Sequence, residues 1–190
     1  LPFADLCYLT YDRITPATIA GYDCDTIGTN ALIQRLTVKD NRLVLPNGAS
    51  YQALILPKNT KILPEVLEKI ANLVKNGATV IGPKPAVSPS LENYPGCDET
   101  VKSIADKVWG ANDLPQNTYG AGTVYQLPIE EVLKRIGLQP DIKLTAHTGK
   151  QPLLWIHRVL PSNQHIYFLS NQEDVIVNST ITCRVENMLP

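Results

Sequence analysis

The segment from Tyr51 to Gly82 constrains the fold more than any other part of this chain. Tyr51-Gln52-Ala53-Leu54-Ile55-Leu56 is a short, mostly apolar run closed by Pro57, which is the pattern of a buried strand. Pro64 then stands where the first turn of a helix tolerates a missing N–H. Val66, Leu67, Ile70, Leu73 and Val74 follow at helical spacing as one apolar stripe. Asn76-Gly77 supplies the stop, and Thr79-Val80-Ile81-Gly82 is the next strand. A strand, a helix and a strand joined so closely imply a parallel pair with a right-handed crossover.

Comparable signals lie on either side. Leu6-Cys7-Tyr8-Leu9 reads as a first buried strand, and Asp25-Thr26 as an N-cap before Ile27, Ala31, Leu32 and Leu36 at helical spacing. Asn41 marks a turn, Arg42-Leu43-Val44-Leu45 a short strand, and Pro46-Asn47-Gly48 a second turn. Residues 83–96, rich in Pro, Ser and Gly, read as a loop, and Asp98 to Trp109 as a helix. A polar linker over 110–121 then precedes the strand Thr123 to Leu127 and a helix between Pro128 and Gly137. After Pro140 the pattern becomes β-rich. The runs Leu153 to Val159 and His165 to Ser170 flank Pro161-Ser162-Asn163 as an antiparallel hairpin. Val175 to Val185 reads as an edge strand or the first strand of a following β-domain.

The expected fold class is therefore α/β: an open, mostly parallel sheet flanked by helices, flavodoxin-like or class I glutamine-amidotransferase-like, with a β-rich C-terminal segment. The expected division is an α/β three-layer domain over 1–150. Hairpin and edge strands over 151–190 would complete it or lead into a β-sandwich.

Charge narrows the function. With 17 basic against 18 acidic residues in 190, the net charge of −1 offers no attraction for nucleic acid or an anionic membrane, and neither is expected as a partner. No apolar run approaches the roughly 20 residues of a membrane span. The chain opens at Leu1-Pro2-Phe3 without Met and stops at Met188-Leu189-Pro190, so it is read as a piece of a longer polypeptide. Cys7, Cys24, Cys97 and Cys183 lack metal-ligand spacing and read as buried or incidental thiols, with a disulfide as the alternative.

Each candidate for chemistry in the sequence has a structural alternative. Tyr22, Asp23, Asp25 and Asn30 fall after the first strand, where an α/β sheet places ligands, and so are candidates for facing a ligand or a neighbouring domain. The competing reading is a turn and a helix cap. Neither a GxGxxG nor a P-loop pattern occurs. Cys97 follows a Pro-rich loop rather than the tight strand-to-helix turn of an amidotransferase nucleophile, and Asp98 and Glu99 disfavour its thiolate. His147, His157 and His165 lack zinc spacing, and alternation sets His157 on the hairpin face of Trp155 as a packed side chain. Glu65, Glu68, Glu130 and Glu131 read as solvated helix faces rather than a glycosidase carboxyl pair. No catalytic, cofactor-binding or metal-binding residue is nominated, and no cofactor is expected in this chain.

Several segments in order resemble one known family. They include Gly21-Tyr22-Asp23-Cys24-Asp25, Arg42-Leu43-Val44-Leu45-Pro46-Asn47-Gly48, Leu54-Ile55-Leu56-Pro57, and the run from Leu73 to Pro85. Trp109-Gly110, Trp155-Ile156-His157-Arg158 and Ile166-Tyr167-Phe168-Leu169-Ser170-Asn171 continue the likeness. Together they resemble the region after the catalytic barrel in glycoside hydrolase family 106, the α-L-rhamnosidases. Cys24 stands where that family more often has an aromatic residue.

The resemblance implies a non-catalytic accessory domain, amidotransferase-like in fold, of a large secreted bacterial enzyme that breaks down plant or complex glycans. It further implies a periplasmic or extracellular parent. The partners would be the preceding barrel and a following β-sandwich of the same polypeptide, with glycan as a further candidate. Catalytic carboxylates would lie in that barrel. The alternatives are a free-standing amidotransferase-like enzyme and a carbohydrate-binding or oligomerisation module.

Overall fold

The computed structural model describes residues 4–10, 19–150 and 153–185. Among them the strands are β1 (Leu6–Thr10), β2 (Cys24–Gly28), β3 (Thr37–Lys39), β4 (Arg42–Val44), β5 (Ser50–Tyr51), β6 (Ala53–Ile55), β7 (Thr79–Ile81), β8 (Gln116–Tyr119), β9 (Gly122–Tyr125), β10 (Ile142–Thr145), β11 (Leu154–Val159), β12 (His165–Ser170) and β13 (Thr180–Cys183). The helices are α1 (Thr29–Arg35), α2 (Pro64–Lys75), α3 (Gly96–Trp109) and α4 (Ile129–Arg135). The strands form four separate sheets: β2-β1-β6-β7-β9-β8, the three-stranded β3-β4-β5, and the pairs β10-β13 and β11-β12.

The helix α2 shows how sequence sets this frame. Val66, Leu67, Ile70, Leu73 and Val74 are all buried, each contributing about 2 kcal/mol through removal of apolar surface from water. Its end is chemically fixed. The Gly77 N–H bonds the Val74 carbonyl and the Ala78 N–H bonds that of Leu73, a double closure that needs the positive φ of 113° at Gly77. Gly137, at φ 72°, closes α4 the same way. The chain leaving α2 enters β7, which lies parallel to β6 with Ala53 opposite Thr79.

Period-two alternation divides the core. Cys7, Leu9, Leu54, Val80 and Val124 join α1, α2 and α3 on one face, where Leu32, Ile70, Val101 and Trp109 are buried. Leu6, Ala53, Ile55 and Ile81 point the other way, against Val132 and Leu133 of the short α4.

This architecture corrects the expected fold. The chain is not a flavodoxin-like open parallel sheet flanked by helices; it is mixed α/β, mostly strand, and spread over four sheets. Three local features produce the difference. The polar stretch 116–119, expected as linker, is the edge strand β8, antiparallel to β9. Asp40 and Asn41, both at positive φ, turn β3 back on β4 and build a small meander. Asp25-Thr26 is not an N-cap but the middle of β2, parallel to β1, while α1 starts only at Thr29. The run 51–56 likewise splits, with Tyr51 in β5 and Ala53 opening β6.

Candidate functional site

The hairpin β11–β12 has two chemically different faces. Leu154, Ile156, Ile166 and Phe168 are exposed, whereas the alternate positions Trp155, His157, His165 and Tyr167 turn inward. His157 and Tyr167 lie directly opposite each other, and their rings stack with centroids 4.0 Å apart.

Beneath them sits Asp141, just before β10 and only 1% exposed. Its Oδ2 contacts His157 Nδ1 at 2.8 Å, and its Oδ1 accepts the Tyr167 hydroxyl at 2.8 Å. Its own N–H bonds the Gly21 carbonyl, and its carbonyl takes the Arg184 N–H. The Arg184 guanidinium bridges to the buried Asp5 and reaches the Gln139 carbonyl at 2.6 Å. A carboxylate so deep persists only because its lone pairs are met by donors.

His157 passes the arrangement on: its Nε2 lies 2.8 Å from His165 Nδ1. A carboxylate at Nδ1 places the His157 proton there, so Nε2 accepts from His165 Nδ1–H, and His165 is left with Nε2 to offer. Burial holds the His157 pKa below its ordinary value, against the opposing pull of Asp141, and keeps the ring neutral. Burial, reinforced by the adjoining Asp141 carboxylate, pushes the Tyr167 hydroxyl upward, so it serves as a donor.

His165 borders a cleft of about 510 Å³ between the hairpin tip and the β2 and β4–β5 region, with Asp25, Arg42, Tyr51, Leu160 and Asn163 also in its wall. Asp25 Oδ2 accepts the Tyr51 hydroxyl at 2.9 Å, which, after burial, raises the Tyr51 pKa. Arg42 donates from Nε to Ser50 Oγ at 2.8 Å and from Nη2 to the Ser50 carbonyl.

A family model described as alpha-L-rhamnosidase, glycoside hydrolase family 106, matches residues 4–190. The chain belongs to the alpha-L-rhamnosidase family. This rhamnosidase-family chain is 38% identical over 170 residues to a putative beta-glucuronidase of Formosa agariphila, a match covering 90% of the chain and 14% of that protein. The rhamnosidase structure from Novosphingobium sp. PP1Y superposes with a TM-score of 0.86 at 27% identity, over 97% of this chain and 18% of that one. The chain thus spans less than a fifth of each of these two proteins, and it is a glycoside hydrolase-related domain.

The four residues singled out from sequence take different places in this rhamnosidase-family domain. Tyr22 donates its hydroxyl to the Leu138 carbonyl at 2.7 Å. Asp23 accepts the Cys24 N–H at 2.8 Å, and burial raises its pKa. Asp25 stands in the cleft wall, and Asn30 is exposed on α1. Cys97, in the first turn of α3, is buried and donates its thiol to the Ser90 carbonyl at 3.5 Å. All four cysteines are thiols, and burial pushes both Cys7 and Cys24 up to about 12. No helix among the described residues is long and apolar enough to cross a membrane. No group of three potential ligands that could hold a metal ion occurs among those residues.

Sequence reasoning missed Asp141, Tyr167, Arg184 and Asp5 as one network. The available signal was the period of two, which sets His157, His165 and Tyr167 on a common face; nothing in the sequence pointed to the carboxylate beneath.

Proposed function

We propose that this chain is a non-catalytic accessory domain of a larger, secreted glycoside hydrolase of the alpha-L-rhamnosidase family. The observation that carries the reading is how its deepest carboxylates are spent. Asp5 and Asp141 are bound by Arg184, His157 and Tyr167 inside the fold, whereas glycoside hydrolysis needs two carboxyl groups facing each other across an open sugar site. The small share of its relatives that the chain spans is in keeping with a part rather than a whole enzyme.

Its partners in this reading are the remaining parts of the same polypeptide. Phe168 is 63% exposed and Leu154 56%, on a two-stranded hairpin too small to be stable alone. Such a face gives the rest of the chain something apolar to cover.

The test compares the 190-residue chain with the longer polypeptide on an aryl α-L-rhamnoside. The longer form is expected to turn over and the chain alone to leave the substrate intact. Turnover by the chain alone, abolished by one substitution within it, would refute the reading.

A further inference from the structure

We infer that the cleft between Asp25, Arg42 and His165 is a binding site for a neutral sugar residue, held through two neighbouring hydroxyl groups. The inference rests on the reading of the chain as part of a glycan-cleaving enzyme, and adds a site to it.

The hydrogen-bonding inventory of the cleft is asymmetric. Asp25 spends Oδ2 on the Tyr51 hydroxyl, which leaves Oδ1 as an acceptor. His165 spends Nδ1 on His157. Because Asp141 fixes the His157 tautomer, His165 donates from Nδ1, and Nε2 is the nitrogen it has left for a ligand. Arg42 spends Nε and Nη2 on Ser50, and Nη1 remains as a charged donor. A carboxylate oxygen, an imidazole nitrogen and a guanidinium N–H group suit a pair of adjacent hydroxyls, each of which can both donate and accept.

Charge and shape narrow the class. Asp25 and Arg42 offset each other, so the cleft carries no excess positive charge that would favour an anionic sugar over a neutral one. Leu160 and Pro161 supply an apolar wall for the C–H face of a ring. A volume of about 510 Å³ lies within the range of small-molecule sites. The buried Asp141–His157 pair serves this site as a brace: it orients His165 and sets its tautomer without touching the ligand.

The experiment is a two-dimensional NMR titration of the isotope-labelled 190-residue chain, with L-rhamnose in one arm and sodium D-glucuronate in the other. Saturable shifts are expected with L-rhamnose at Asp25, Arg42, Tyr51 and the 160–165 turn, with a dissociation constant on the order of 1 mM. D-glucuronate is expected to bind no more tightly. Asp25→Asn and Arg42→Met should each weaken L-rhamnose at least tenfold, with dispersed spectra showing that the fold persists. Arg42→Met keeps the test decisive if Asp25→Asn disturbs Tyr51. The inference is overturned by an absence of saturable shifts well above that concentration, by shifts elsewhere, by tighter binding of D-glucuronate, or by binding that survives both substitutions. None of these results touches the accessory-domain reading, which is judged by turnover of the longer polypeptide.

Discussion

Asp141 and His157, sixteen residues apart in sequence, meet through a 2.8 Å contact with each side chain only 1% open to solvent. This contact ties the C-terminal hairpin to the segment before β10, because Asp141 also holds Tyr167 across the hairpin. Removing the carboxylate strands His157 Nδ1 and the Tyr167 hydroxyl at once. Asp141→Ala is therefore expected to cost about 3 kcal/mol or more, lowering the melting temperature by roughly 10 °C. Thermal and urea unfolding of the purified variant measure this, and a loss under about 1 kcal/mol would mean that the network does not fasten the hairpin.

The same contact makes stability depend on pH. Burial holds the folded-state pKa of His157 below its unfolded value near 6.5, so between the two values the unfolded chain binds more protons. This contribution is complete above pH 6.5 and is lost as pH falls from there toward the folded value. Asp23, with its pKa raised by burial, acts in the opposite sense from 3.8 upward, so the His157 contribution is isolated by difference. The urea midpoint should fall more between pH 7.5 and pH 5.5 in the parent chain than in His157→Gln. Parallel pH profiles would show that His157 does not carry the dependence.

How far these features were legible in the sequence depends on whether they are local. The stripe of α2, its Gly77 stop and the flanking strands follow from spacing alone, because one helical face and two short apolar runs suffice to specify them. The edge strand β8 was not legible: Gln116, Asn117 and Thr118 show no apolar run, and only pairing with β9 makes them a strand. Asp25 misled for a related reason. A short polar residue before apolar spacing looks like a cap, yet its carboxylate is taken by Tyr51, twenty-six residues away. Asp141 lay beyond local reasoning altogether, since its partners come from both strands of a hairpin that follows it.

Close backbone packing where β9 meets the end of α2 predicts a sharp contrast between two glycines. A Cβ at Gly122 would run into the carbonyl oxygens of Val74 and Ala78, which are held by the surrounding backbone and cannot rotate away. One at Gly96, in the first turn of α3, meets nothing within 4 Å. Gly122→Ala should destabilise by about 2 kcal/mol or more, while Gly96→Ala should be neutral or gain up to about 1 kcal/mol. Chemical denaturation of the pair decides it; equal stabilities would contradict the packing at Gly122.

The exposed face of the hairpin yields the last prediction. Ile156 and Phe168 are direct cross-strand partners, 47% and 63% exposed, with Leu154 and Ile166 beside them. Four large apolar side chains together on one small sheet form a patch that water solvates poorly and that an apolar dye should find. Thr suits a strand as well as Ile does and adds a hydroxyl, so the double variant Ile156→Thr, Phe168→Thr removes the patch without removing the strand. Dye fluorescence is expected to drop by at least half, and the melting temperature to stay within about 2 °C because these side chains bury little in this chain. Undiminished dye binding would place the chain's sticky surface elsewhere. A large fall in melting temperature would mean that the two side chains are packed after all, and that the inward His157–Tyr167 face is not what secures the hairpin.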